Sequence, residues 1–408
     1  MKIKNLYIEN KKRLKNLSIS FENNSEILDT VVLTGINGTG KTTVLEAIYD
    51  YFEDFENYKN KMDIKLDLEE EIIREKSGLS QEMYLTYLTD FVYRQKKYRS
   101  LLKIGEHVGN LTVESIIKNK IPRIIYLPAE INFRNVKFDF LPMYKLGFLN
   151  IINSTAISDI PHYIQMRIIN AANKESEKKL GNVRDEVIAE INGIFDILDM
   201  DTRLIGMSTE TTEILPIFKN SSGDEFDINE LSSGEKQLFL RTLAIKMLNP
   251  ENSIILIDEP ELSLHPKWQQ RIVDVYRKIG KNNQIIIATH SPHILGSVKK
   301  DNIMLLDKND DGKIIVKTGD ELYNSYGQPT DKVLKDIMGL ETTRNPKVFK
   351  LLEEAGELVD KNKYDSEEFK IKYKELRDIL GKKDEDLLLM DMDIQIRKKR
   401  GFKNAENK

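Results

Sequence analysis

The sequence predicts an α/β fold built on a parallel sheet around a phosphate-binding loop, with helical insertions and a helical C-terminal extension. Three observations carry that prediction. The apolar run Val31-Val32-Leu33 leads into a glycine-rich loop and then into apolar residues at helical spacing. The segments Ile254–Ile257 and 284–288 read as strands buried on both faces, each ending in residues capable of chemistry. Between these apolar segments run long charged stretches with a helical pattern, the alternation of an α/β protein.

Composition narrows the function classes. The chain holds no cysteine, which excludes disulfides, Cys-ligated metals and thiol chemistry. No apolar run approaches the roughly 20 residues a membrane helix needs, and Met1 to Leu6 opens a strand rather than a signal peptide, so the expected location is cytoplasmic, with no membrane partner. A formal net charge of −4 leaves nucleic-acid contact to local basic patches. The tail Ile394 to Lys408 is one, with Arg397, Lys398, Lys399, Arg400, Lys403 and Lys408, although such tails are commonly solvated and frayed.

Residues 1–52 read as strands, loop and first helix. Gly35-Ile36-Asn37-Gly38-Thr39-Gly40-Lys41-Thr42 fits G-x-x-x-x-G-K-[ST] and is followed by Thr43, with Val44, Leu45, Ile48 and Tyr51 continuing as a helix. The glycines let backbone N–H groups converge on an anion at the helix start. Lys41 would reach the β- and γ-phosphates of a nucleotide and the Thr42 hydroxyl would ligate Mg²⁺. The expected binding set is Asn37, Gly38, Thr39, Gly40, Lys41, Thr42 and Thr43.

From 53 to 122 the chain is charged and reads as a helical insertion. Within it, Tyr84 to Lys103 interleaves tyrosines and Phe91 with lysines and arginines, a pattern open to base stacking or to an amphipathic helix burying its aromatics. A strand at 124–127 follows, then a helical arm over 140–200 that could dock a partner. Residues 204–226 alternate around the turn Asn220-Ser-Ser-Gly223, a hairpin signal.

Leu231-Ser-Ser-Gly-Glu-Lys-Gln237 precedes apolar residues at helical spacing. It places Ser232, Ser233 and Gly234 at a helix N-terminus, a second anion site without a lysine of its own. Ser232 and Glu235 also satisfy an ordinary capping box. Two cradles in one chain argue for a nucleotide held between two copies. Downstream, Asp258 at the end of its strand would complete the Mg²⁺ shell, and Glu259 would polarise the attacking water as the catalytic base. His290, ending the next strand, would sense the γ-phosphate.

The order phosphate loop, LSSGEKQ, SIILIDEP, ELSLHP, ATHSPH resembles the ABC-type ATPase heads of the RecF and SMC group across residues 1–306. The resemblance implies ATP and Mg²⁺ as cofactors, an ABC-ATPase head formed by 1–52, 123–139 and 201–317, and hydrolysis at Glu259 with His290 as switch histidine. It further implies Ser232, Ser233, Gly234 and Glu235 as the signature reaching a second copy's nucleotide in a head-to-tail dimer or higher oligomer. Residues 261–266 would be the D-loop. Glu130 stands near the Q-loop position but is not glutamine. The intervals between these motifs leave no room for a very long coiled coil, and Asp391 and Asp393 read as helical surface rather than a fused nuclease site.

The C-terminal region 318–408, with Tyr326-Gly-Gln-Pro-Thr330 and a helical hairpin from Pro346 to Arg400, resembles the ATPase subunit of Septu and retron-associated anti-phage defence systems. That likeness implies an HNH-type nuclease partner and nucleic acid as the target. A RecF-like repair ATPase binding DNA is the alternative, and a transporter ATPase or a non-hydrolysing scaffold fits the motifs less well.

Overall fold

The computed structural model describes residues 1–67, 122–131, 149–175, 177–208 and 214–406. Its strands are β1 (Lys2–Lys11), β2 (Leu14–Ser20), β3 (Glu22–Asn23), β4 (Glu26–Ile27), β5 (Thr30–Thr34), β6 (Met62–Asp67), β7 (Ile124–Leu127), β8 (Leu149–Ile151), β9 (Arg203–Met207), β10 (Pro216–Lys219), β11 (Glu225–Asp227), β12 (Ile254–Asp258), β13 (Gln284–Ala288), β14 (Ile303–Lys308) and β15 (Ile314–Thr318). Seven of these form one sheet in the order β15-β14-β5-β13-β12-β7-β8. Every pairing in it is parallel except β14 with β15.

The central strands are apolar at successive positions because both faces are covered. Val32, Ile255, Ile257, Ile285 and Ile287 enter one core with the helices Ile160–Lys174, Leu180–Gly193, Ser233–Met247 and Ile272–Arg277. Val31, Leu33, Ile254, Leu256 and Ile286 enter the other, with the helix Lys41–Glu53 and the antiparallel sheet β2-β1-β6. The helix after the phosphate loop and the helix after LSSGEKQ therefore lie on opposite faces of the sheet. Each fully buried Leu or Ile contributes about 1.5–3 kcal/mol relative to its exposed state.

Gln284 interrupts the apolar rule at the start of β13 and is fully buried. Its Oε1 accepts from Ile3 N at 2.7 Å, and its Nε2 donates to Ile3 O at 3.0 Å and Leu28 O at 3.1 Å. One amide thus ties the first strand of the chain to the centre of the main sheet. The expected hairpin at Asn220–Gly223 joins β10 and β11, and β11-β10-β9 makes a small antiparallel sheet. That sheet packs on the helix Ser233–Met247 through Phe218 and Phe239, whose rings meet edge to face at 4.8 Å.

Several elements differ from the sequence reading. The stretch expected to be helical from Glu53 includes strand β6, because Met62, Ile64 and Leu66 alternate with polar residues and bury against β1. The remainder of that insertion, including Tyr84 to Lys103, lies outside the described residues. The described part of the arm expected over 140–200 includes strand β8, and its helices bury Ile160, Ile164, Val187 and Ile191 in the main core rather than presenting a free arm.

At the C-terminal side the first compact unit runs to Met338, past the boundary expected at 318, because Val333 and Ile337 belong to the main core. The second unit, Gly339–Lys408, holds three helices instead of a hairpin: Pro346–Asp360, Glu367–Leu380 and Glu385–Glu406. Gly381, at φ 79°, makes the additional break. Leu352, Ala355, Val359, Phe369, Leu376 and Leu387 form its own core. The basic tail is helical to Glu406 instead of frayed, and Arg397 and Lys398 pair with Asp360, Asp393 and Asp365. Asp391 and Asp393 stand on that helix, bonded to Tyr373 and Arg397. Among the described residues no helix is long and apolar enough to cross a membrane.

Candidate nucleotide site

Strand register assembles the site. In the order β5-β13-β12, Leu33 pairs with Ala288 and Ala288 with Asp258, so the three carboxyl ends are level. The pairing runs one residue further, with Glu259 N donating to Ala288 O at 2.9 Å and Thr289 N to Leu33 O at 3.0 Å. The phosphate loop, the acidic pair and the histidine are consequently brought to one edge of the sheet, where α/β folds bind ligands.

The loop needs its glycines for space as well as for conformation. Gly35 adopts φ 143°, and a Cβ there would fall 2.2 Å from Leu306 O. Gly40 is the N-cap of the helix Lys41–Glu53 at φ 98°, and among the described residues no side chain caps the first turn. Those N–H groups are left to an outside acceptor, and the helix dipole favours an anion. Lys41 is buried and its Nζ donates to Gly35 O at 2.9 Å and Ile36 O at 3.2 Å. Burial lowers its pKa to about 8, against the opposing pull of Glu259, Asp258 and Glu261. Thr39 closes the loop through Oγ1 to Ile36 O, while Asn37 and Gly38 are exposed.

Thr42 Oγ1 donates to Asp258 Oδ1 at 3.1 Å, bringing together the two expected metal ligands. Burial raises the Asp258 carboxyl to about 6, with the Thr42 hydrogen bond opposing it. Glu259 sits half-buried at φ 43°, a left-handed conformation that is strained for a residue with a side chain. The His290 imidazole is held below its usual pKa by burial and by Lys41 and so is neutral near pH 7. Among the described residues no three His, Cys, Asp or Glu cluster as a metal cage. Mg²⁺ does not need one, since it is bound through one or two protein oxygens with water and phosphate completing its shell.

Ser232, Ser233, Gly234 and Glu235 stand apart from this cluster. Among the described residues no hydrogen bond or ion pair joins them to the loop. The capping box is formed: Glu235 N donates to Ser232 Oγ at 3.3 Å and Ser232 N to Glu235 Oε2 at 3.2 Å. Thr202 Oγ1 holds the other carboxylate oxygen at 2.6 Å. With Glu235 occupied in this way, the exposed hydroxyls of Ser232 and Ser233 define the tip. Gly234 is obligatory because Ser263 O of the 261–266 segment lies 2.6 Å from where its Cβ would be. Glu130 is exposed just beyond β7, the neighbour of β12.

Arg13 and Arg241 escaped the motif reading, and Glu261 entered it only as the first residue of the 261–266 segment. Arg13, in the turn between β1 and β2, places Nη1 3.3 Å from Gly38 O at the mouth of the loop. Arg241, buried to 1% exposure, donates from Nη2 to Asp258 O at 2.8 Å and Pro128 O at 3.3 Å. Glu261 accepts from Thr289 Oγ1 and His290 N. For Arg13 the available signal was a Lys-Arg pair between two alternating strands. The other two are long-range contacts with no local signature.

The family described as "AAA domain, putative AbiEii toxin, Type IV TA system" matches residues 148–296, which include Ser232–Glu235, Asp258, Glu259 and His290. The chain is 26% identical over 382 residues to Septu protein PtuA of Bacillus thuringiensis, covering 88% of this chain and 89% of that one. It is 32% identical over 197 residues to the Retron Ec83 probable ATPase of Escherichia coli, 45% of this chain and 35% of that protein. The chain is an ATPase. This ATPase is also 25% identical over 244 residues to the DNA double-strand break repair Rad50 ATPase of Sulfolobus acidocaldarius, 57% of its own length and 26% of the relative's. The SMC head domain from Thermotoga maritima aligns at 14% identity and a TM-score of 0.39, covering 78% of this chain and all of that one.

Proposed function

We propose that this ATPase is the nucleotide-driven switch of a prokaryotic anti-phage defence complex in the cytoplasm, controlling or positioning a separate HNH-type nuclease that acts on nucleic acid. The observation that carries the reading is the similarity to Septu protein PtuA, which extends over 88% of the chain and so reaches past the ATPase core. Bound Mg²⁺ would be held by Thr42 and Asp258 and would neutralise charge on the β- and γ-phosphate oxygens of ATP. The donor set fits it: two hard oxygens already in contact.

Lys41 exchanges its loop carbonyls for phosphate oxygens, and the N–H groups at the start of its helix cradle the same anion. Glu259 orients and polarises the attacking water, and neutral His290 bonds a γ-phosphate oxygen. Ser232, Ser233 and Gly234 of one copy close on the nucleotide of another, which makes ATP the glue of a head-to-tail dimer or higher oligomer. Their exposure and separation from their own loop support this arrangement. ATP then shifts an open–closed equilibrium by its differential affinity for the closed state.

The test is co-purification with the product of the adjacent gene, followed by DNA cleavage over a range of ATP concentrations with wild type and Glu259→Gln. The substitution removes the base and leaves ATP bound. Cleavage that responds to ATP and changes in Glu259→Gln supports the switch. The likeness to the Rad50 ATPase favours a second reading, a DNA-binding repair head. An ATP-locked Glu259→Gln dimer that grips DNA without a nuclease partner would put that reading first.

A further inference from the structure

Glu261 follows the catalytic pair by two residues, and its side chain turns back across the sheet edge. One oxygen, Oε1, accepts from both Thr289 Oγ1 and His290 N, each at 2.7 Å. Thr289 Oγ1 in turn accepts from Ser291 N at 2.9 Å. Thr289 N is already bonded to Leu33 O, and Glu259 N to Ala288 O. The peptide that carries the His290 ring is therefore anchored on one side by strand pairing and on the other by this carboxylate. A single oxygen receiving two short donors is the behaviour of a carboxylate.

The arrangement is expensive in stability, which argues against a merely structural part. Among the described residues the second oxygen, Oε2, is buried with no hydrogen-bond partner. Burial pushes the carboxyl pKa up while its two donors pull it down. An apolar residue packed at the same turn would avoid that desolvation. It could not hold the two donors that Glu261 holds.

We propose that Glu261 is a positioning residue for ATP hydrolysis: by accepting from Thr289 and His290 it fixes the angle at which the His290 ring meets the γ-phosphate. The inference rests on the role given above to His290, and the two are tested separately. Steady-state ATPase kinetics are measured on the full chain for wild type, His290→Ala, Glu261→Ala, Glu261→Gln and the double variant His290→Ala/Glu261→Ala.

Glu261→Ala should lower kcat by about 10- to 100-fold, the scale of a small misplacement at a reacting centre, with KM for ATP changed less than about threefold. Glu261→Gln keeps an acceptor oxygen and should recover most of the loss. In the His290→Ala background the Glu261→Ala effect should vanish, since there is no ring left to position. Should Glu261→Ala fail to fold, Thr289→Val removes one of the two donors and takes its place in the same cycle.

If His290→Ala slows turnover while Glu261→Ala does not, or if the two losses multiply, Glu261 does not act through the histidine. If His290→Ala has no effect, the role of His290 fails first and this inference falls with it. Failure of nuclease control alone leaves the cycle readable, because ATP turnover is its only readout.

Discussion

Lys41 and Asp258 are displaced in opposite directions by the same cause. Burial lowers the lysine to about 8 and raises the aspartate to about 6. The signs set a window for activity. On the roles proposed above, Asp258 would below pH 6 take up a proton that competes with Mg²⁺, and Lys41 would above pH 8 lose the charge that attracts phosphate. We expect Mg²⁺-dependent turnover at low ATP to be bell-shaped with limbs near those values. Nucleotide binding without metal should show only the alkaline limb, with affinity falling up to tenfold per pH unit because a proton must be taken up on binding. Lys41→Ala should weaken binding by about 100-fold or more and abolish that limb, which a fluorescent-nucleotide titration from pH 6 to 9.5 checks. An unchanged alkaline limb in Lys41→Ala would assign it to another group.

Elements set where these residues meet, and here the sequence was legible to an uneven degree. Continuous apolar runs announced β5, β12 and β13 because a strand covered on both faces has no polar alternate positions. The loop, Asp258, Glu259 and His290 were legible because each directly abuts such a run. Strand β6 and the three-helix C-terminal unit were not. The first is a period-two pattern short enough to vanish inside a charged stretch, and the second depends on a single turn at Gly381. Nor could spacing reveal Gln284, whose partners Ile3 and Leu28 are distant in the chain. Gln284→Ala strands an N–H and two carbonyls in the buried seam between β1 and β13, so we expect a loss of about 2–4 kcal/mol in urea unfolding with little change in KM for ATP. Arg13 belongs to the same element-scale class, since the β1–β2 turn alone brings it to Gly38. Arg13→Ala should raise KM for ATP about 3- to 10-fold and leave kcat nearly unchanged, the signature of uniform binding. Equal losses in kcat and kcat/KM would instead give Arg13 a role confined to the transition state.

At the scale of the whole molecule the question is whether one copy completes the site of another. Ser233 is the residue to change, because Ser232 caps the helix and Gly234 has no room for a side chain, while Ser233 is exposed at the first helical position. Ser233→Arg should therefore fold as wild type while blocking closure on a neighbour's nucleotide. Lys41→Ala should likewise fold but fail to hold ATP in its own loop. Each variant alone has no complete site if sites are shared. In a mixed dimer, the intact loop of the Ser233→Arg copy faces the intact signature of the Lys41→Ala copy, and one of two sites is whole. Equal amounts of the two inactive variants should then recover about a quarter of wild-type turnover, since half the dimers are mixed and each has one live site. The recovery should rise with total protein concentration and appear alongside an ATP-dependent dimer in analytical ultracentrifugation. If folded Ser233→Arg keeps wild-type turnover by itself and mixing with Lys41→Ala adds nothing, each head hydrolyses ATP alone and the signature serines act as a helix cap alone.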